Sequence, residues 1–186
     1  MSEEVRRVNR ELMYKGTVLE VYRDHMEFAN GNVEEWDFIH HNGAAAVIPV
    51  TERGEILMVR QYRNALDRYT WEIPAGKLDT PQEPGIECAS RELEEETGYK
   101  SDCLELLITI RTTVALCDER IEIYVAKDLI PTSQHLDENE FIDVKAFTLK
   151  ELMDMILNQE IEDSKTISAI MSYAVKYVYK GWNLTW

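Results

Sequence analysis

The sequence predicts an α/β fold, a mixed sheet with helices packed on its faces, and three observations predict it. Hydrophobic periodicity runs in the order strands, helix, strands, then two helices. A 45% hydrophobic content over 186 residues is enough to bury one sizeable core. No apolar run approaches the ~20 residues of a membrane span.

The elements follow in order. Residues 11–29 read as extended, with Val18, Leu19, Val21, Tyr22 and Phe28 as strand formers. Asn30-Gly31 signals a hairpin, and the return strand at 32–40 carries Val33, Trp36, Phe38 and Ile39. Ala44–Val50 is a short apolar run that reads as a buried strand. Arg53-Gly54 turns the chain into a strand over Glu55–Tyr62, and Trp71–Ala75 makes another before Gly76. A helix is expected over 85–97, stopped by Gly98, then strands near 102–112, 119–127 and 142–147. Thr148 and Glu151 form a capping box for a helix from Leu149 to about Asn158. A last helix is expected from Asp163 or Ser164 to near Gly181. Its apolar face would be Ile167, Ile170, Met171, Ala174, Val175 and Val178.

Composition narrows the function. A net charge of −15 argues against nucleic-acid and anionic-membrane partners, but permits a small anion if metal ions screen it. The opening Met-Ser-Glu-Glu-Val-Arg-Arg lacks the apolar core of a signal peptide. Cys88, Cys103 and Cys117 are odd in number and lack metal-type spacing, so reduced thiols in the cytoplasm are the simplest reading. His25, His40, His41 and His135 show no ligand spacing and read as surface or core residues.

The segment Gly76–Tyr99 carries the chemistry. Ile86, Ala89 and Leu93 recur at helical spacing and form one apolar stripe. Glu92 and Glu96 lie one turn apart on nearly the same face, with Glu95 beside them. Carboxylates this close repel unless something positive sits among them. Mg²⁺ takes oxygen ligands and combines a few carboxylates with waters and substrate phosphates. Arg91 and Glu95 form an i, i+4 pair, so the arginine can steady the carboxylate.

Arg91 to Tyr99 fits the pattern Arg-Glu-apolar-x-Glu-Glu-x-Gly-apolar at every position. Glu83 precedes it with seven residues between, and Gly76 precedes Glu83 with six between. That last spacing is one residue longer than the pattern. The segment resembles the Nudix box, and the chain resembles the Nudix hydrolase family. The resemblance implies an α/β/α sandwich with a mixed sheet, preceded by an N-terminal antiparallel β-hairpin region.

Val59-Arg60-Gln61-Tyr62-Arg63, Trp71–Leu78 and Asp137–Phe141 resemble the ADP-ribose pyrophosphatase branch, and the similarity spans about Tyr14 to Tyr179. In that likeness residues 1–42 are a dimerisation and substrate-binding region, often exchanged between subunits, and 43–186 the catalytic domain. Glu92, Glu95, Glu96 and the Ala75 carbonyl correspond to ligands of Mg²⁺, or Mn²⁺ in its stead, with Glu140 joining from the distal loop. Glu138 matches the general base, while Arg91 orients Glu95. Arg63 matches an arginine on the diphosphate, Glu72 an acid near the substrate, and Trp36 an aromatic on the adenine. The implied reaction cleaves ADP-ribose to AMP and ribose 5-phosphate in a cytoplasmic homodimer. Val114-Ala115 stand where the branch usually has Pro-Gly. That departure admits a GDP- or UDP-sugar as substrate. A domain that senses nucleotides without cleaving them is the remaining reading, although every box carboxylate is present.

Overall fold

A computed structural model describes residues 4–178 apart from 137, 139 and 140. The chain forms two compact units. One holds the residues up to Gly43 together with Arg111–Arg120, and the other holds Ala44–Ile110 and the chain from Ile121 onward.

The first unit is a three-stranded antiparallel sheet, β1 (Val5–Lys15), β2 (Glu20–Phe28) and β3 (Val33–His40), in that order. The expected hairpin is present: Gly31 takes a φ of 83°, and Phe28 N–H reaches Asn32 O at 2.9 Å. The single extended stretch expected over 11–29 is two strands. Gly16 N–H bonds Leu19 O at 2.9 Å and turns the chain, so β1 starts well before residue 11. The segment Arg111–Arg120 joins this unit through backbone bonds Ile39 N–H to Leu116 O at 2.7 Å and Asp118 N–H to Ile39 O at 3.2 Å. Asp118 also meets His40 Nδ1 at 2.7 Å.

The second unit follows the expected layering. Its strands are β4 (Ala44–Pro49), β5 (Ile56–Arg63), β6 (Arg68–Glu72), β7 (Ala75–Lys77), β8 (Tyr99–Lys100), β9 (Cys103–Arg111), β10 (Arg120–Lys127), β11 (Ile130–Pro131) and β12 (Asp143–Phe147). Its helices are α1 (Gly85–Thr97), α2 (Leu149–Leu157) and α3 (Ser164–Tyr173), the last continued by a π-helical turn at Ala174–Val178. One sheet runs β7-β4-β10-β9, with β4 and β10 parallel and β4 and β7 antiparallel, and a second runs β12-β5-β6.

Alternation along β4 separates two cores. Ala45 and Val47 pack with Cys88, Ala89 and Leu93 of α1 and with Tyr124 and Ala126 of β10. Ala46 and Ile48 face the other way, into a core with Met58, Ile73, Leu152, Ala169 and Ile170, which brings in α2 and α3. The sheet is therefore covered by helix on both faces.

Four local readings are corrected. Ile86 is exposed, and Cys88 supplies the buried stripe of α1 beside Ala89 and Leu93. The strand expected over Trp71–Ala75 breaks at Ile73-Pro74, because proline offers no ladder donor. The two-residue pair β8–β11 was not foreseen; strands that short carry no periodicity. In the last helix Met171, Val175 and Val178 are exposed, and Thr166, Ala169, Ile170, Tyr173 and Ala174 are the buried face. The stop expected near Gly181 lies outside the described residues. The capping box of α2 forms as expected, with Thr148 N–H on Glu151 Oε2 at 2.8 Å and Glu151 N–H on Thr148 Oγ1 at 3.2 Å.

Candidate active site

The site is built where β7 meets α1. Pro84 opens the helix without a side-chain cap, and Gly98, at φ 71°, closes it in the left-handed region with its N–H on Glu94 O. Between them, Arg91, Glu92, Glu95 and Glu96 project from adjoining turns.

Arg91 is the hub. Its Nη1 donates to Glu92 Oε1 at 2.6 Å and to Glu95 Oε2 at 3.0 Å, and its Nη2 reaches the Lys77 carbonyl at 3.3 Å. Its Nε stands 3.6 Å from Asp79 and 3.5 Å from Glu83, longer than hydrogen bonds, and has no hydrogen-bond partner. Burial works against the Arg91 charge, yet Glu92 and Glu95 outweigh it and raise its pKa further. The extra residue of the loop is absorbed in a turn. Glu83 N–H bonds Thr80 O at 3.1 Å, and Asp79 N–H bonds Glu83 Oε2 at 2.6 Å, so Glu83 still faces Arg91.

Glu92 and Glu96 are buried, 9% and 5% exposed, which is unusual for carboxylates. Glu96 Oε2 accepts from Ala75 N–H at 3.0 Å. Gly76 packs directly on the Glu92 carboxylate, and a Cβ there would overlap it. Cys88 sits under the same loop, with its thiol on the carbonyls of Gly76 and Lys77 at 3.6 and 3.5 Å. Burial pushes that thiol up to about 12, so it stays protonated and serves as packing.

Among the described residues no three His, Cys, Asp or Glu side chains converge closely enough to hold a metal ion as they stand. Glu92 and Glu95 turn to Arg91 instead. The donors nevertheless suit a hard cation. One guanidinium faces Asp79, Glu83, Glu92 and Glu95, and buried Glu96 adds a further negative charge one turn from Glu92.

The distal loop is tied to this helix. Thr132 N–H bonds Gly98 O at 2.7 Å, Gln134 Nε2 bonds Glu96 O at 2.5 Å, and His135 N–H bonds Glu95 O at 3.0 Å. These bonds satisfy carbonyls at the C-terminal end of α1. They bring the chain to within three residues of Glu138, which lies exposed in a turn. Glu140 falls outside the described residues.

Arg63 and Glu72 form a second cluster. Arg63 Nε and Nη2 grip Glu72 Oε1 and Oε2 at 2.7 and 2.6 Å, and Thr70 Oγ1 donates to Oε1 at 2.6 Å. Lys165 Nζ donates to Oε2 and, at 2.9 Å, to Asp163, the N-cap of α3. Burial opposes the Glu72 charge, but Arg63 and Lys165 prevail and hold its pKa at about 2. Glu72 and then Glu96 and Asp163 raise the pKa of Arg63. Lys165 was not singled out from the sequence. A lysine in the first turn of a helix opposes the macrodipole, and that misplacement was the available signal that an acid holds it there.

Trp36 belongs to the first unit. It lies on β3, half exposed, edge-on to Phe28 at 6.1 Å. Val114 and Ala115 sit in that unit too, in a turn closed by Cys117 N–H on Thr113 O at 2.9 Å.

An acidic helix behind a glycine-led loop, on a helix-covered mixed sheet, is the arrangement that the resemblance to the Nudix hydrolases implies, and the comparisons with known proteins agree. The NUDIX domain family model matches residues 40–170. The chain is 36% identical over 179 residues to an ADP-ribose pyrophosphatase of Bacillus subtilis, covering 95% of this chain and 94% of that one. It is 40% identical over 169 residues to a methanol dehydrogenase activator of Bacillus methanolicus, covering 90% and 91%. A crystal structure of an ADP compounds hydrolase superposes with a TM-score of 0.82 at 23% identity, over 93% of this chain and 94% of that one, which speaks for the fold. The chain belongs to the Nudix hydrolase family, in its ADP-ribose pyrophosphatase branch.

Proposed function

We propose that the protein hydrolyses the diphosphate linkage of ADP-ribose to AMP and ribose 5-phosphate, with Mg²⁺, or Mn²⁺ in its stead, as cofactor. The observation that carries this reading is the excess of carboxylate around Arg91, with Glu92 and Glu96 buried against the Ala75-Gly76 backbone. Glu92, Glu95, Glu96 and the Ala75 carbonyl would hold the cation, with Glu140 from the distal loop. When bound, the cation supplies neutralisation of the phosphate oxygens and orientation of a water.

The remaining work falls to this chain's side chains. Arg63, backed by Glu72, grips the diphosphate, and Trp36 stacks on the adenine. Arg91 fixes Glu95 and the glycine-led loop. The water oxygen attacks phosphorus, the bridging P–O bond breaks, and the water proton passes to the Glu138 carboxylate. The bonds from residues 132–135 to α1 support this role by anchoring that loop to the box helix. A GDP- or UDP-sugar is the second reading, favoured by the turn at Val114-Ala115, whose Val114 is 82% exposed. The test is initial rates on ADP-ribose, GDP-mannose, UDP-glucose, NADH and a dinucleoside polyphosphate with Mg²⁺, repeated with chelator. ADP-ribose is expected to turn over fastest, and chelator to abolish the rate. Preference for GDP-mannose or UDP-glucose would move the assignment, and undiminished turnover without metal would end the metal-dependent reading.

The protein is further proposed to be a cytoplasmic homodimer joined through its N-terminal sheet. Support comes from Leu12, Met13, Tyr14, Val33 and Trp36, all at least 46% exposed on that small unit. Among the described residues no helix is long and apolar enough to cross a membrane. Light scattering at micromolar concentration is expected to give twice the chain mass, and a mass of 21.7 kDa would refute the dimer.

A further inference from the structure

We propose that Lys165, at the start of α3, is a positioning residue that sets Arg63 for the diphosphate by acting through Glu72. This rests on the proposed substrate role of Arg63. Glu72 is 2% exposed and takes donors on both oxygens: Arg63 and Thr70 on Oε1, Arg63 and Lys165 on Oε2. Its acceptor sites are filled, so the carboxylate cannot turn without breaking a bond to a buried group. Lys165 is 9% exposed and is held from behind by Asp163, whose Oδ2 also accepts from Thr166 N–H at 2.9 Å. The Arg63 side chain is 39% exposed. An anion can therefore reach Arg63 and cannot reach Lys165.

The consequence is electrostatic as well as geometric. With Lys165 in place, two cations, Arg63 and Lys165, face two carboxylates, Glu72 and Asp163. Without it, Arg63 alone faces both, the cluster turns net negative, and the guanidinium loses its draw on phosphate. The same cluster reaches the box: Thr166 Oγ1 accepts from Ile73 N–H at 3.0 Å, two residues before the Ala75 that donates to Glu96.

The experiment measures kcat and KM for ADP-ribose, or for whichever nucleoside diphosphate compound the wild type cleaves, in Lys165→Met, Arg63→Ala and the double variant. Lys165→Met is expected to raise KM at least ~10-fold while kcat falls by less than ~3-fold, because binding is lost more than transition-state contact. On the Arg63→Ala background Lys165→Met is expected to shift KM by less than ~2-fold, because the two share one path. An unchanged KM in Lys165→Met, or effects that multiply in the double variant, would overturn the proposal. A wild-type KM in Arg63→Ala would instead overturn the substrate role on which it rests. Should Lys165→Met fail to fold, Lys165→Arg retains the charge. Its larger head must displace Glu72, so KM is expected to rise ~3-fold or more, and an unchanged KM there also overturns the proposal.

Discussion

The Glu72 cluster surrounds one buried carboxylate with donors, whereas the Arg91 cluster surrounds one guanidinium with carboxylates. Both lie in the same unit and both use charge-assisted bonds. The first is saturated: every bond that Glu72 can accept is made by its neighbours. The second is lopsided, with four carboxylates on one arginine whose Nε has no hydrogen-bond partner. A balanced cluster fixes a framework, and an unbalanced one invites a positive ligand. The difference sets apart the cluster proposed to set Arg63 for the diphosphate from the cluster proposed to hold the cation.

The sharpest break of this contrast is Glu96→Gln. The amide keeps the shape and drops the charge in the unbalanced cluster. A kcat loss of roughly 10³-fold, about 4 kcal/mol, is expected, with the melting temperature within a few degrees of wild type. A variant that unfolds instead would show that Glu96 belongs to the framework.

The Glu72 side breaks by acid. Its folded pKa, about 2, lies below the ordinary 4.5, so its stabilisation is complete above the unfolded value and is lost as pH falls from 4.5 towards 2. The loss is on the order of 3 kcal/mol. Urea midpoints at several pH values should fall more steeply below pH ~5 in wild type than in Glu72→Gln. Parallel curves would mean that the carboxylate is not held by its cations.

What the sequence disclosed divides along the same line. The box helix, its Gly98 stop and the α2 capping box were legible, because spacing along one helix fixes which residues meet. The Arg91–Glu95 bond is such a case. The Glu72 cluster was not legible as a unit: Arg63 and Glu72 stand nine residues apart on paired strands whose register no side-chain spacing fixes, and Lys165 follows Glu72 by 93 residues. Ile86 was misread because it falls within about 60° of Ala89 around the helix, yet it is exposed in the first turn of α1, and Cys88, on the other flank of Ala89, is the residue buried with Ala89 and Leu93. The grouping of Arg111–Arg120 with the N-terminal sheet rests on backbone bonds to Ile39 and on Asp118 meeting His40, 78 positions away in the chain, contacts that no local pattern announces.

Glu138 tests whether the unbalanced cluster is completed from outside the helix. If its carboxylate takes the water proton, Glu138→Gln lowers kcat by ~10²-fold with little change in KM. Glu140→Gln is expected instead to raise the Mg²⁺ concentration at half-maximal rate. A Mg²⁺ titration of both variants separates the roles. Near-full kcat in Glu138→Gln beside a dead Glu140→Gln would pass the base assignment to Glu140.

The smallest expected effect is also the most local. Gly76 is required for space rather than for backbone freedom: a Cβ there would overlap the Glu92 carboxylate. Glu92 has little room to retreat, being 9% exposed and held by Arg91 at 2.6 Å. Gly76→Ala should therefore push the carboxylate off its position and leave the sheet intact. A rate loss of about 10-fold is expected, or ~1.4 kcal/mol, partly recovered at high Mg²⁺. Gly54 is the control. It has φ 77° and open space around its missing Cβ, so Gly54→Ala should cost about 1 kcal/mol of stability and leave the rate alone. Gly76→Ala with a wild-type rate and metal requirement would mean that the close approach of loop to carboxylate is mere packing. The reverse, a large loss of stability at unchanged specific activity, would place Glu92 with the framework beside Glu72.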